Sequence, residues 1–573
     1  MVRLTAAIMF AALALLVEVP AALSQGACDA IAARCASHGF AASGGARGKR
    51  VAEDCVRPIL DGSGGRRGLP LVSGSLIAQC WATLDPTAGL PPDGKAAAGP
   101  GPVAAPAFAA GKAMPPNIVM ILVDDFSLDL MSQDQNILQR TMPNLAKLMQ
   151  DGAQFSQYFV TDSLCCPSRS SIFTGLLPHN SGVFTNGPPN GGYEAFMANG
   201  DDARTFALPL HDAGYATAMM GKYLNGYDPL KDGVPAGWSE WAVAGNGYPN
   251  FGYALNHNGR MIRSPLHLTD KLSSLGQDFI KASAGTPFLL ELATFSPHPP
   301  YVPPVRYASD FADLTYPRSP AFGARPDASA PDWLHQIKPL NAVAIDRMQE
   351  NFLDRLRSDK GIDDMIGAIR KTLDDLGLSG RTYVIFTSDN GYHMGEYSLR
   401  AGKMTPFDTD IHVPLVIAGP GVAPGQTIDA LTMNIDFYPT FAEWAGAAGN
   451  PAVDGRSLAG LLQGKPMAPW RNIAVVEHRH DDSSISLNPD HAAFQSGNPP
   501  DYTALRMPGA MYVEYDDPAR EVGYYDLTRD PYELHNIAGT LSPERLRALH
   551  EAVVANSTCR GPGQCSAAQQ TSP

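Results

Sequence analysis

The sequence predicts an α/β protein built on a mixed, mostly parallel sheet sandwiched between helices. Three observations carry this reading. From Pro115 onward, short apolar runs alternate with helical stretches, the pattern of a parallel sheet covered on both faces. The chain holds 55 Gly and 49 Pro, so turns punctuate it throughout, and its 573 residues suffice for a large buried core. Five apolar runs read as strands, and four of them deliver charged or metal-capable side chains at their carboxyl ends. Open α/β sheets bind their ligands just there.

The elements follow in order. Arg3, the apolar run Leu4–Val17, Pro20 and then Ala22-Leu23-Ser24 read as a secretory signal peptide over residues 1–24. No other segment approaches the ~18 consecutive apolar residues of a membrane span. The expectation is an exported protein, periplasmic or secreted, without stable membrane insertion. Cysteine usage agrees. Cys28, Cys35, Cys55 and Cys80 mark a module over 25–85 with two disulfides, for which three connectivities are open. Helical stretches are expected near Ala30 and Ile77. Cys559 and Cys565 are expected to close a small C-terminal loop. Residues 86–114 are dominated by Ala, Gly and Pro and read as a linker. The sheet domain is assigned to 115–465 and a C-terminal subdomain and tail to 466–573. The formal charge of −14 argues against nucleic-acid binding, which needs a basic footprint. A small anion remains possible, because a few local cations can build its site.

The five strand runs end informatively. Asn117–Val123 leads to Asp124-Asp125, and Thr382–Ser388 leads to Asp389-Asn390. Together these supply three carboxylates and an amide oxygen, an all-oxygen set suited to a hard cation. Each pair alone is ordinary turn chemistry; two pairs on two core strands point to a metal. The run from Tyr215 ends at Gly221-Lys222. The run from Pro287 ends at Ser296-Pro297-His298. Val413–Ala418 ends in a Gly/Pro turn.

Between these strands lies Cys165-Cys166-Pro167-Ser168-Arg169-Ser170-Ser171-Ile172-Phe173-Thr174-Gly175. Pro167 suits the first turn of a helix, which places Cys165 just before a helix N-terminus. Free amides and the helix dipole favour an anion at that point, and Arg169 adds a planar donor fork.

This segment resembles the signature of the sulfatases, C-x-P-S-R followed after four residues by T-G. In that family the first cysteine is oxidised to formylglycine, which selects Cys165 and leaves Cys166 as a small buried filler. The resemblance extends over about 115–540. Pro116–Asp125 looks like the family's opening strand, and Gly214–Tyr223 like its second signature. Thr387–His393, Lys403 and Val413-Pro414-Leu415 look like the C-terminal half of its site. Tyr524–Asp526 through Leu534 looks like its smaller terminal sheet. The flavour is that of the N-acetylglucosamine-6-sulfatase and endosulfatase branch. The clues are Ser163–Cys166, Gly221–Asn225 and Gly391–Gly395. The implied fold is alkaline-phosphatase-like, with a smaller C-terminal antiparallel sheet.

The resemblance implies hydrolysis of sulfate monoesters, on a small or oligosaccharide sulfate ester or an aryl sulfate. A formylglycine hydrate at Cys165 would supply the nucleophile, and its second hydroxyl a route for expelling sulfate. Asp124, Asp125, Asp389, Asn390 and the modified Cys165 would hold Ca²⁺, with Mg²⁺ the alternative. Arg169 would orient the hydrated residue. Lys222 and Lys403 would clamp the sulfate oxygens, and His298 would act as general acid at the leaving oxygen. A formylglycine-generating enzyme is the implied maturation partner. One departure stands out: where arylsulfatases often carry His two residues after the lysine, this chain has Leu224. His393 is then a candidate base, or equally a substrate contact. Two other readings are carried: a phosphonate or phosphate ester hydrolase of the same superfamily, and an inactive relative that binds sulfated glycans. Substrate determinants are expected in the loops Thr185–Asn199 and Ser484–Pro500.

Overall fold

The computed structural model describes residues 21–41, 50–63, 68–84, 104, 114–128, 135–465, 469–480 and 494–573. Residues 1–20 of the expected signal peptide, almost all of the 86–114 linker and the greater part of the 484–500 loop lie outside the described residues. Residues 21–24, read as the end of the leader, begin the first helix.

Helices α1 (Ala21–Ser37) and α2 (Gly74–Trp81) frame the N-terminal module. The connectivity left open by the sequence is Cys28–Cys80 and Cys35–Cys55. Ser73 caps α2, its Oγ accepting from the Leu76 amide at 3.3 Å.

The five apolar runs are all strands, and shorter ones extend them into a ten-stranded sheet. In chain order its strands are β1 (Asn117–Val123), β2 (Ala153–Phe155), β3 (Ala216–Lys222), β4 (Glu240–Ala244), β5 (Ala254–His257), β6 (Arg260–Arg263), β7 (Phe288–Ala293), β8 (Thr382–Ser388), β9 (Leu415–Ala418) and β10 (Gln426–Ile428). Their spatial order is β10-β2-β9-β8-β1-β7-β3-β4-β5-β6. The five at the centre, β8-β1-β7-β3-β4, are mutually parallel. The ladders of β9 to β8 and β2, and of β5 to β4 and β6, are antiparallel. Every residue of β1, β7 and β8 is buried, which is why these strands read as continuous apolar runs rather than alternating ones. Within β1, Ile118, Met120 and Leu122 face one core, and Val119, Ile121 and Val123 face the other.

Helix α3 (Cys165–Thr174) packs in the first core. Helices α4 (Leu268–Ala282) and α5 (Ala342–Asp375) cover the second. The sequence reading did not anticipate α5, which runs 34 residues and starts at Asn341, whose Oδ1 accepts from the Ala344 amide at 2.9 Å. The C-terminal subdomain is a four-stranded antiparallel sheet, β11 (Ala474–His478), β12 (Tyr502–Met507), β13 (Ala510–Tyr515) and β14 (Val522–Asp526). Helices α6 (Pro543–Thr558) and α7 (Gly561–Gln569) follow it, their junction closed by Cys559–Cys565 as expected.

Candidate active site

The ends of four parallel strands, β1, β3, β7 and β8, converge on Cys165 at the start of α3. Leu164 is still extended, and Cys165 is the first residue of α3 rather than the one before it. Pro167 costs nothing here, because amides in a first helical turn have no partner within the helix. Gly175 ends the helix at φ 67°, its N–H donating to Ser171 O; a Cβ there would stand 2.9 Å from that of Tyr438. All ten residues of α3 are buried. Such a helix is held by its surroundings, so Cys165 is presented from a rigid base.

The sequence-selected side chains meet around this thiol. Cys165 Sγ lies 3.3 Å from Asp124 Oδ1 and accepts from Lys403 Nζ at 2.8 Å. Lys403 Nζ also donates to Asp125 Oδ1 at 2.7 Å, and Lys222 Nζ to Asp124 Oδ2 at 2.6 Å. Arg169 lies in the same knot, with Nη2 4.0 Å from Asp124 Oδ1. Its Nε donates to Asp389 Oδ2 at 2.8 Å and its Nη1 to the Lys222 carbonyl at 2.9 Å, so it ties β8 to β3 beneath Cys165. Asn390 Nδ2 donates to Asp125 Oδ1 at 2.6 Å. His298 Nδ1 stands 2.7 Å from Pro299 O; a carbonyl only accepts, so Nδ1 carries hydrogen there. That directs Nε2 toward Asp125 Oδ2, 3.6 Å away. His393 stands apart from this knot. Its Nδ1 meets the Asp410 carboxylate at 2.9 and 3.0 Å, and its backbone pairs with Gly402, beside Lys403.

The electrostatics are those of a compact ionic knot. Three carboxylates, Asp124, Asp125 and Asp389, face three cations, Arg169, Lys222 and Lys403, all essentially buried. Burial pushes the Asp124 carboxyl up to about 6 against the pull of Lys222. For Asp389 burial acts upward too, but Arg169, Lys222 and Lys403 outweigh it and hold the carboxyl near 2. Burial works against the charge on Lys222, and Asp124 more than restores it, keeping the amine protonated. Cys166 is buried beside this knot, and burial lifts its thiol to about 12, which leaves it an inert filler.

The chemistry of these donors fits a cation. Asp124, Asp125, Cys165 and His298 each offer a ligand atom within 4.8 Å of the others. Asp125 Oδ2 and Asn390 Oδ1 are buried without a hydrogen bond, a costly state for polar oxygens unless something positive sits between them. Asp389 stands outside that four-residue cluster. Its Oδ1 accepts from the Asp125 and Asn390 amides at 3.2 and 2.9 Å. Of the expected metal set, Asp124, Asp125 and Cys165 share this cluster, and His298 stands in it where Asp389 was expected.

Several residues around the knot were missed. Arg355 of α5 donates from Nη2 to Asp125 O at 2.6 Å and stacks over the Tyr392 ring. Tyr248 lies between Lys222, 5.1 Å from its ring centre, and His298, whose ring centre is 4.4 Å away. Asp410 anchors His393 and also accepts from Thr405 N and Oγ1. None carries a local signal, since each reaches the site from a distant loop or helix.

Residues 116–447 match the sulfatase family model, and 395–557 match that of the N-sulphoglucosamine sulphohydrolase C-terminal region. The chain belongs to the sulfatase family, the sulfuric ester hydrolases. It is similar to human N-acetylglucosamine-6-sulfatase, 32% identical over 78% of this chain and 85% of the relative, and to the goat enzyme at 31% over 78% and 84%. It also resembles the extracellular sulfatase SULF-1 homolog of Drosophila melanogaster, 31% identical over 63% of this chain and 33% of that one. Among solved structures, one in complex with its substrate D-glucosamine-2-N,6-O-disulfate superposes with TM-score 0.65 at 21% identity, covering 79% of this chain and 98% of its own. The phosphonate monoester hydrolase of Agrobacterium radiobacter superposes with TM-score 0.58 at 22% identity, covering 78% and 96%. These two share the fold. Among the described residues, no helix is long and apolar enough to cross a membrane.

Proposed function

We propose that this chain hydrolyses the 6-O-sulfate ester of a glucosamine-type sugar, with Cys165 converted to formylglycine and a divalent cation, Ca²⁺, held by Asp124, Asp125, Asp389 and Asn390. The observation that carries the reading is the buried knot in which Cys165 is ringed by two lysines, an arginine and these oxygens. The substrate class is supported by the similarity to N-acetylglucosamine-6-sulfatases over most of both chains.

Held by these residues, the cation would supply Lewis-acid activation of a hydroxyl of the hydrated formylglycine and of a sulfate oxygen. The chain's own residues do the rest. Lys222 and Lys403 reach the thiol position from two sides and donate to the sulfate oxygens as they leave Asp124 and Asp125. A cluster of three negative and three positive groups becomes net positive once a divalent ion joins it, so it attracts a sulfate monoester although the whole chain carries −14. His298, with Nδ1–H fixed on Pro299 O, would act as an imidazolium and give its Nε2 proton to the leaving oxygen as general acid, a role typically worth roughly 10²–10⁴-fold. His393, whose pKa Asp410 raises against its burial, stands beside Lys403 and contacts the substrate. The same reading makes 25–85 a disulfide module, 115–465 the catalytic domain and 466–573 its C-terminal subdomain. The chain is exported, to the periplasm or beyond, and matured by a formylglycine-generating enzyme.

The test is a panel assay on protein made in a host able to install formylglycine. The Cys165 peptide should show the mass of the aldehyde in place of the thiol. N-acetylglucosamine 6-sulfate should be cleaved in preference to a phosphonate monoester. Preference for the phosphonate, or an unmodified thiol in active protein, refutes the reading.

A further inference from the structure

The N-terminal module lies outside both family-matched ranges, and no role for it follows from the sulfatase chemistry. Its small core is nevertheless completed by the catalytic domain. Phe251 and Val302 are buried in one cluster with Ile31, Cys35, Cys55, Ile59 and Ile77. Trp81 of α2 stacks on Phe251 with centroids 6.4 Å apart, and it closes over Gly252, where a Cβ would stand 2.7 Å from the indole. The two bodies are thus packed as one interior.

The contact falls on the loop that carries His298. Gly74, the first residue of α2, lies against the Pro300 and Tyr301 carbonyls; a Cβ there would stand 2.6 Å from Pro300 O and closer still to Tyr301 O. Tyr301 N in turn donates to His298 O at 3.0 Å. His267 donates from Nε2 to Val302 O at 3.0 Å and fixes the same loop from the other side. The next residue, Ser75, hydrogen-bonds the Asp354 carboxylate through its amide at 3.3 Å and also through Oγ, and accepts from Arg357 Nη1 at 3.1 Å. Asp354 and Arg357 flank Arg355, the residue that holds the Asp125 carbonyl. One short helix start therefore touches both supports of the site, the His298 loop and the α5 segment behind Asp125.

We propose that the disulfide-closed module is a brace that sets the His298 wall of the active site, with Gly74 and Ser75 as positioning residues. This rests on the catalytic reading of His298 given above. Ester hydrolysis with a poor leaving group depends on the acid at the leaving oxygen, whereas an activated aryl sulfate depends on it little. A brace defect therefore discriminates between esters, and general destabilisation does not.

The experiment measures kcat and KM of the full-length, matured enzyme on N-acetylglucosamine 6-sulfate and on 4-nitrophenyl sulfate. The variants are Gly74→Ala, Ser75→Ala and the control Gly26→Ala, whose added Cβ meets nothing. Gly74→Ala is expected to lower kcat on the sugar sulfate by about 10–10²-fold, the scale of a 1 Å misplacement. The aryl sulfate should change by less than about threefold, and KM should hold for both. Ser75→Ala should show a smaller effect of the same sense, and it carries the test if Gly74→Ala does not fold. In a His298→Ala background neither substitution should alter the ratio between esters further. Equal losses on both esters, or losses additive with His298→Ala, overturn the brace. A wild-type enzyme that cleaves neither ester instead refutes the catalytic reading, and the brace with it.

Discussion

Glu291 offers a measurement whose magnitude follows from the structure. It stands in the middle of β7, paired in register with Met120 of β1 and Met219 of β3, with neither carboxyl oxygen hydrogen-bonded. Burial pushes its carboxyl from an ordinary 4.5 up to about 8, with Arg169 pulling weakly the other way. The folded chain therefore keeps this proton at neutral pH, while the unfolded chain releases it near 4.5. Below that pH both states are protonated and nothing is lost. Between 4.5 and about 8 only the unfolded state ionises, so folding loses about 1.4 kcal/mol per pH unit. By pH 7 the loss is about 3 kcal/mol, and above about 8 it levels off. Glu291→Gln keeps the shape and removes the proton. Guanidinium unfolding of wild type and variant from pH 4.5 to 8 isolates the effect, because all other titrations cancel in the difference. The variant should gain about 3 kcal/mol on the wild type between pH 4.5 and 7. A difference that stays flat across this range would mean that Glu291 is ionised and paired in the folded state, and would refute the reasoning.

Three further outcomes are expected. Asp410→Asn removes the charge that raises the His393 pKa against its burial, so His393 loses its proton at lower pH; the basic limb of the kcat/KM profile on a sulfated sugar should move to lower pH. Lys403→Met takes away the ammonium shared by Asp125 and residue 165, and kcat should fall by about 10²–10⁴-fold, read by steady-state kinetics on matured protein. Chelation should abolish turnover and lower the calorimetric melting temperature. Returning Ca²⁺ to a hundred times its Kd should restore activity together with about 2.7 kcal/mol of stability.

What the sequence disclosed, it disclosed for physical reasons. A strand buried on both faces has to be apolar along its whole length, so β1, β7 and β8 stand out as runs. A parallel sheet exposes its carboxyl ends together, so Asp124-Asp125, Asp389-Asn390, Lys222 and His298 could be gathered before any coordinates. The strands Ala153–Phe155 and Gln426–Ile428, at one side of the sheet, are three residues each, too short for any periodicity to register. Helix α5 was hidden by its own environment. One stretch of it buries Asp354, Arg355, Arg357 and Asp359, which breaks the apolar stripe that a surface helix displays.

The residues that escaped share one property: their partners lie far away in the chain. Arg355 meets Asp125 across 230 positions, and Ser75 meets Asp354 across 279. Local composition cannot encode such a meeting. Gly74 in the sequence is only a small residue at a helix start, and its necessity appears when the Tyr301 carbonyl is seen against it. The net charge is silent for a related reason. It sums the whole chain, whereas the proposed sulfate site rests on Lys222, Lys403 and Arg169, which are buried and matched to Asp124, Asp125 and Asp389. A site of this kind is specified twice. Its ligands are fixed by strand ends that the sequence announces, and their positions by contacts it does not, so substitutions at Gly74, Arg355 or Tyr248 should disturb catalysis while leaving every recognisable motif intact.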